Sequence, residues 1–425
     1  MVDVARVKMF GMNIGTFKWD DTYDMARFEY DEHFVGKGLE PSPLMMPVKQ
    51  GRIYSFGNLN RDVFYGLPGM LADSLPDTYG RALFDKWLSM VGRTSGNPIE
   101  TLCFLGQRCM GALEFEPATG PVTTDMKIEI DSLVEVAKEA LSKKEEFGTN
   151  LDADRKAAIA EILRLGTSAG GQRAKAVIAY NKETGEVRSG QVQAPTGFDY
   201  YLIKLDGVSA EAGFKETENF GRLEFSFSLL AKECGIEMTE CALIEENGRA
   251  HFLTKRFDRV NGNKIHMQTL CGIAHYDFHL RRAYSYEQAF NVMRRLRLPY
   301  SQAEEMFLRM VFNVVIRNQD DHTKNISFLM DNAGKWRLSP AYDLGFAYNP
   351  KGAWTNTHQM SINGKFDDIT RKDLQAFAIS NNIKNANEII DKVCEVTSKW
   401  PEMAKNCGVP KEMIDARLPY MLLNI

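Results

Sequence analysis

The chain is short of what a disulfide scaffold or a metal ribbon needs. Its seven cysteines, at 103, 109, 234, 241, 271, 394 and 407, are odd in number and show no C-x-x-C spacing. That excludes a stapled secreted scaffold and suits reduced thiols in a cytoplasm. No apolar run reaches the roughly eighteen residues of a membrane span. The start, Met1-Val-Asp-Val-Ala-Arg6, lacks the basic-then-apolar pattern of a secretory signal. Neither sign of charge dominates: 52 Lys and Arg stand against 56 Asp and Glu, for a net −4. A global basic surplus that would draw nucleic acid is therefore missing. Only Arg281, Arg282, Arg294, Arg295 and Arg297 cluster, as a solvated helix face or, failing that, a surface for protein or nucleic acid. His275 and His279 have the i, i+4 spacing of a helical zinc pair, but the Glu of H-E-x-x-H is absent and two histidines do not close a tetrahedral site. Repeats and low-complexity tracts are absent too.

What is present is ample core material, 44% hydrophobic residues in 425, enough for two to three packed units. Three segments are expected. Residues 1–125 alternate short strands (Arg6–Phe10, Phe28–Tyr30, Ala112–Phe115) with Gly and Pro turns and close at Pro117-Ala-Thr-Gly-Pro121. Residues 126–260 form a mixed α/β lobe, introduced by a helix that Ser132 and Glu135 would cap, its charged end Lys143–Glu146 being a solvated connection. Residues 261–425 are mainly helical.

The chemistry concentrates in Asn318-Gln-Asp-Asp-His-Thr-Lys-Asn325, followed eighteen residues later by Asp343 in Ser339-Pro-Ala-Tyr-Asp-Leu344. Phosphoryl transfer needs a carboxylate that accepts the proton of an incoming hydroxyl, and oxygen ligands for magnesium on the nucleotide phosphates. Asp320 can be the first; Asn325 and Asp343 can be the second. A polar loop satisfying its own turns has a similar composition, so the surroundings matter. Ser301 and Glu304 read as a capping box, and Met306, Phe307, Met310, Val311, Val314 and Val315 as the apolar stripe of a helix that stops at Asn318. Ile326–Met330 and Lys335–Leu338 read as strands of a hairpin turning at Asp331-Asn-Ala-Gly334, which would carry Asp343 back beside Asp320 and Asn325.

Two further segments can serve a nucleotide. Gly166-Thr-Ser-Ala-Gly-Gly-Gln-Arg-Ala-Lys175 is no Walker loop, since Gln172 and Arg173 follow Gly171, but it can be a glycine cover between strands, or an ordinary turn. Tyr200-Tyr-Leu-Ile-Lys-Leu205 sets Lys204 in an apolar run, where a lysine must be paired or serve a ligand. Glu224, in the amphipathic stretch Arg222–Ala231, is its natural partner; the alternative is a snorkelling lysine on an edge strand.

In chain order these pieces resemble the HipA family of serine/threonine kinases, the toxin halves of bacterial toxin–antitoxin pairs. Thr167-Ser-Ala-Gly-Gly-Gln172 resembles the glycine-rich loop, Leu202-Ile-Lys-Leu205 the nucleotide-lysine strand, and Glu224–Gly235 the N-lobe helix. Lys255-Arg-Phe-Asp-Arg259 resembles the hinge; Asp320-x-His322-x-x-Asn325 and Tyr342-Asp343 resemble the catalytic and metal motifs. Glu40-Pro-Ser-Pro43, Tyr65-Gly-Leu-Pro-Gly-Met70, Ala72–Asp77 and Gly111–Glu116 resemble the N-terminal region, so the likeness runs over roughly residues 5 to 345.

The resemblance implies an α+β, two-lobed protein-kinase-like fold with an N-terminal mixed α/β accessory subdomain and a mainly helical C-lobe. It implies Asp320 as general base, Asn325 and Asp343 as magnesium ligands, Lys204 on ATP phosphates with Glu224 orienting it, and backbone from Lys255 through Arg256 to Phe257 on the adenine. Ser168, Ala169, Gly170, Gly171 and Gln172 would cover the phosphates, with His322, Lys324 and Tyr342 completing the nucleotide site. Autophosphorylation at the start of the glycine-rich loop, here Thr167 where serine is more usual, with Ser168 beside it, would silence the enzyme. Implied partners are a HipB-like helix-turn-helix antitoxin, operator DNA through that antitoxin, and a protein substrate such as glutamyl-tRNA synthetase. A small-molecule kinase, or a catalytically dead co-repressor, would share parts of this pattern.

Overall fold

Alternation writes the first sheet. In β1 (Val4–Met9) Ala5, Val7 and Met9 are buried and Val4 and Arg6 exposed, the period of a strand with one wet face. β2 (Met12–Asp20), β3 (Met25–Tyr30), β4 (Ile53–Tyr54) and β5 (Leu113–Glu116) join it in the order β4-β3-β2-β1-β5, each pair antiparallel. Gly15 is obligatory in β2, since a Cβ there would collide with the Glu29 carbonyl oxygen and the Phe28 ring of β3. The structure, a computed structural model, describes residues 2–76, 78–90, 92–93, 95–120, 127–141, 173–209 and 218–425. The Gly166–Gln172 segment and Lys143–Glu146 lie outside the described residues.

A second antiparallel sheet follows, with β6 (Arg173–Tyr180), β7 (Val187–Ser189), β8 (Asp199–Ser209), β9 (Cys241–Glu246) and β10 (Arg249–Lys255) in the order β7-β6-β8-β10-β9. β8 is thus the central strand. Tyr201, Ile203 and Leu205 are buried on one face of it, and Leu202 and Lys204 are half-buried on the other. The helix Ile130–Leu141 packs against β8 through a face that includes Leu133, Val134 and Ala137. It begins before Ser132, which therefore lies inside the first turn and is not its cap.

The described residues group into two compact units. Met1–Pro41, Val48–Glu218 and Ala242–Met267 make one, holding both sheets; Ser42–Pro47, Asn219–Cys241 and Gln268–Ile425 make the other. This grouping differs from the three segments expected at 125 and 260, and the helix Phe220–Cys234 falls in the second unit. There Phe227 stacks on Trp400 with centroids 4.8 Å apart, and the Trp400 indole N–H donates to Ser226 Oγ at 3.1 Å. From Arg371 onward the chain is mainly helical, and Trp400 is wholly buried. Among the described residues no helix is long and apolar enough to cross a membrane.

Candidate functional site

The helix Tyr300–Val315 buries Met306, Phe307, Met310, Val311, Val314 and Val315, the stripe read from the sequence. Its ends differ from expectation. Pro299 stands at the N-cap without a side-chain cap, so Ser301 falls inside the first turn and no Ser301–Glu304 box starts the helix. The C-terminus comes at Val315 because Arg317 turns left-handed (φ 57°) and the Asn318 N–H returns to the Asn313 carbonyl at 2.8 Å. This closure satisfies the last carbonyls and points the chain into the polar loop.

The loop is built by its own backbone. Asn325 Nδ2 donates to the Asp320 carbonyl at 2.8 Å, and the His322 and Asn325 N–H groups donate to the Asp320 and His322 carbonyls, each at 2.9 Å. With the amide nitrogen committed to that bond, the Asn325 amide oxygen is the atom able to hold a metal. The hairpin forms as read, with Phe328, Leu329 and Met330 opposite Leu338, Arg337 and Trp336, and Asp331 Oδ1 accepting from the Ala333 and Lys335 N–H groups at 2.9 Å. After it, the Tyr342 hydroxyl donates to the Lys324 carbonyl at 2.7 Å, and Asn318 Nδ2 reaches the Asp343 carbonyl at 3.4 Å. Asp343 itself is left-handed (φ 52°), a conformation Asp tolerates better than most residues. Asn318, Asp321, His322, Asn325 and Asp343 line one common cavity.

The Asp320 carboxyl keeps 44% of its side-chain surface open. Its pKa is nevertheless raised, first by desolvation among the groups packed around it; His322 and the Trp354 indole pull it down, while Asp343 and Asp321 repel the charge and push it up. His322 takes the Lys324 N–H on Nδ1 at 3.3 Å, which makes Nε2 the protonated nitrogen, 3.8 Å from Asp320 Oδ1. Its ring stands between Phe278 and Trp354, at centroid distances of 5.3 and 6.4 Å.

Sequence reading passed over Asp321. It is 4% exposed and accepts from the Tyr286 hydroxyl (2.9 Å), the Gln359 N–H (2.8 Å) and His358 Nδ1 (2.9 Å). The network continues from Asn313 Nδ2 to the Tyr286 oxygen at 3.0 Å and from Asn318 Nδ2 to Asn313 Oδ1 at 2.9 Å. A buried hydrogen-bonded chain thus joins the polar loop to the turn that carries Asp343. Two adjacent aspartates in a polar loop give no sequence sign of which is buried.

Lys204 is in the first unit and Glu224 in the second. Lys204 is on the central strand, which removes the edge-strand alternative, with its Nζ 5.8 Å from the Phe252 ring centroid. Directly opposite it on β6 is Lys175, only 2% exposed, so two lysines share one sheet face. Alternation in Ala174-Lys-Ala-Val177 was the available signal for Lys175. In the Lys255–Phe257 segment, the Arg256 N–H donates to the Tyr200 carbonyl at 2.8 Å, and the Arg256 side chain clasps buried Asp258 at 2.7 and 2.9 Å. Lys255 Nζ pairs with Asp199 at 2.6 Å. His275 caps the short helix Leu270–Ala274 and the chain leaves helical geometry there, so His275 and His279 do not share a helix face. Arg281, Arg282, Arg294, Arg295 and Arg297 are all exposed, the first two in a loop.

The family model of the HipA-like C-terminal domain matches residues 167–400, and that of the HipA N-terminal domain matches residues 5–116. A putative kinase, Y4mE, of Sinorhizobium fredii is 26% identical over 125 residues, 27% of this chain and 30% of the relative, so the match spans under a third of that protein. Among solved structures, the HipA, HipB and operator DNA complex of Shewanella oneidensis MR-1 contains a chain that superposes with a TM-score of 0.65 at 19% identity, covering 95% of this chain and 90% of that one. The Helicobacter pylori proinflammatory kinase CtkA is a weaker likeness, with a TM-score of 0.35 at 14% identity over 52% of this chain and 88% of its own.

Proposed function

As the chain belongs to the HipA family, with both of its domains represented, we propose that it is an ATP- and magnesium-dependent serine/threonine protein kinase of the toxin type. The observation that carries this reading is the joined geometry of Asp320, Asn325 and Asp343 on a closed helix end and a hairpin. Asp320, half-open, receives the proton of the acceptor hydroxyl. Asn325, with its amide nitrogen committed and its oxygen able to ligate, and Asp343 fit magnesium, which takes one or two such oxygens and keeps water and phosphate for the rest. Bound there, magnesium supplies charge neutralisation on the phosphates. Lys204 serves the phosphates, Glu224 orients it, and His322, Lys324 and Tyr342 shape the nucleotide side.

Thr167 or Ser168 is the site of self-silencing, a HipB-like antitoxin is the partner, operator DNA is met through that antitoxin, and a translation protein such as glutamyl-tRNA synthetase is the substrate. The HipA–HipB–DNA complex of the Shewanella relative supports the partner.

Intact-mass analysis with peptide mapping after exposure to Mg-ATP tests this, with wild type beside Asp320→Ala and Asp343→Ala. A gain of about 80 Da per phosphate on Thr167 or Ser168 in wild type alone is expected. Wild-type transfer in either variant would remove its assigned role.

A further inference from the structure

Both neighbouring aspartates of the polar loop are engaged by one other segment, Trp354–Gln359. The buried member, Asp321, holds the far end of that segment through His358 Nδ1 and the Gln359 N–H, at 2.9 and 2.8 Å. Gln359 Nε2 in turn donates to the Trp354 carbonyl at 2.6 Å and to the Gln319 carbonyl at 3.1 Å. So anchored, Trp354 aims its indole N–H at Asp320 Oδ1 across 2.7 Å. Among the described residues no hydrogen bond is made to Asp320 Oδ2.

A carboxylate on an aspartate stem rotates broadly about its last torsion and offers two equivalent oxygens. A charge-assisted bond to a rigid indole removes that freedom. We propose that Trp354 is a positioning residue for phosphoryl transfer: it clamps Oδ1 of Asp320 and so presents Oδ2 to the acceptor hydroxyl. This rests on Asp320 as the general base. In the step itself Oδ2 takes the hydroxyl proton as the acceptor oxygen bonds to the γ-phosphorus, and the bond from that phosphorus to the ADP oxygen breaks. The ring also stands beside His322, edge-on at 61°.

The test is steady-state ADP release from Mg-ATP by the full chain, which counts transfer to any acceptor, water included. Trp354→Phe keeps the ring and loses the donor; Trp354→His keeps an N–H. The expected result is a kcat about tenfold to a hundredfold lower in Trp354→Phe, an ATP KM within about twofold of wild type, and recovery of most of the rate in Trp354→His. A thermal melt accompanies each variant, and Trp354→His carries the comparison should the Phe variant melt early. Wild-type turnover in Trp354→Phe beside a dead Asp320→Ala overturns the inference alone. An ATP KM that rises with the loss of rate also overturns it, because Trp354 would then act on the nucleotide. Undiminished turnover in Asp320→Ala, or none in wild type, removes the base assignment and the inference with it.

Discussion

Asn325 Nδ2 lies 2.8 Å from the main-chain carbonyl of Asp320, so the residue read as a metal ligand also fixes the backbone of the residue read as the base. The two roles can be separated chemically. Asn325→Ala removes the ligand oxygen and the donor, whereas Asn325→Asp keeps an oxygen ligand but replaces the donor with a group that repels the carbonyl.

Magnesium titrations of ADP release should therefore divide the two variants. Asn325→Ala should lose transfer by about a hundredfold or more and require more magnesium. Asn325→Asp should keep a wild-type magnesium midpoint and lose rate by about tenfold or more. Equal magnesium midpoints in all three proteins would show that Asn325 holds the loop and no metal.

Asp321 should matter for stability as much as for rate. Its carboxylate satisfies Tyr286, His358 and the Gln359 N–H, so Asp321→Ala leaves buried donors without an acceptor. A cost of about 3–5 kcal/mol is expected, against about 1–3 kcal/mol for Tyr286→Phe, read from denaturant midpoints. A cost for Asp321→Ala below that of Tyr286→Phe would mean that the network does not hold the loop.

The contrast between Asp320 and Asp321 shows how far the sequence carries. The loop, the hairpin and its Asp331 turn, and the helical stripe were legible because they are local, set by periods of two or 3.6 residues and by turn chemistry. Trp354 and His358 were not, since they meet the loop from 34 and 37 residues away, a spacing without a period. Helix ends were read less well for a different, local reason. Pro299 and left-handed Arg317 set them, and Arg does not announce a positive φ as Gly would.

Lys204 lies on the central strand, in register with Lys175. Lys204 is the residue assigned to the ATP phosphates, so its removal should be read in nucleotide binding. Lys204→Met should reduce the ATP-induced rise in melting temperature to near zero while leaving the ligand-free protein folded. A full thermal shift in that variant would make Lys204 structural.

Asp258 ties Arg256 and Arg259 to the Gly111 N–H, at 2.7–2.9 Å throughout. Burial alone would raise its pKa, but the two guanidiniums and the Gly111 N–H outweigh that and hold it well below the usual carboxylate range. A folded pKa below the unfolded one means that the stabilisation is whole at neutral pH and is lost as the carboxylate protonates in acid. Asp258→Asn should cost about 3–5 kcal/mol at pH 7, and the gap to wild type should narrow in strong acid. A gap independent of pH would assign the loss to packing.

His266 offers a test in milder acid. It is wholly buried, with Nε2 2.8 Å from the Pro41 carbonyl, an acceptor that makes Nε2 the protonated nitrogen. Burial lowers its pKa from 6.5 to about 4, only partly opposed by the Pro41 bond. Between those values the unfolded chain binds a proton that the folded chain refuses, so stability falls as pH falls from about 6.5 towards 4. At pH 5 this one group should have removed about 2 kcal/mol. His275, half-buried and lowered to about 4 by desolvation, acts in the same direction in the second unit. His266→Gln keeps a donor for Pro41 and cannot titrate. Its loss of denaturation free energy between pH 7 and pH 5 should be smaller than that of wild type by about 2 kcal/mol. Identical losses in the two proteins would show that His266 accepts its second proton while folded.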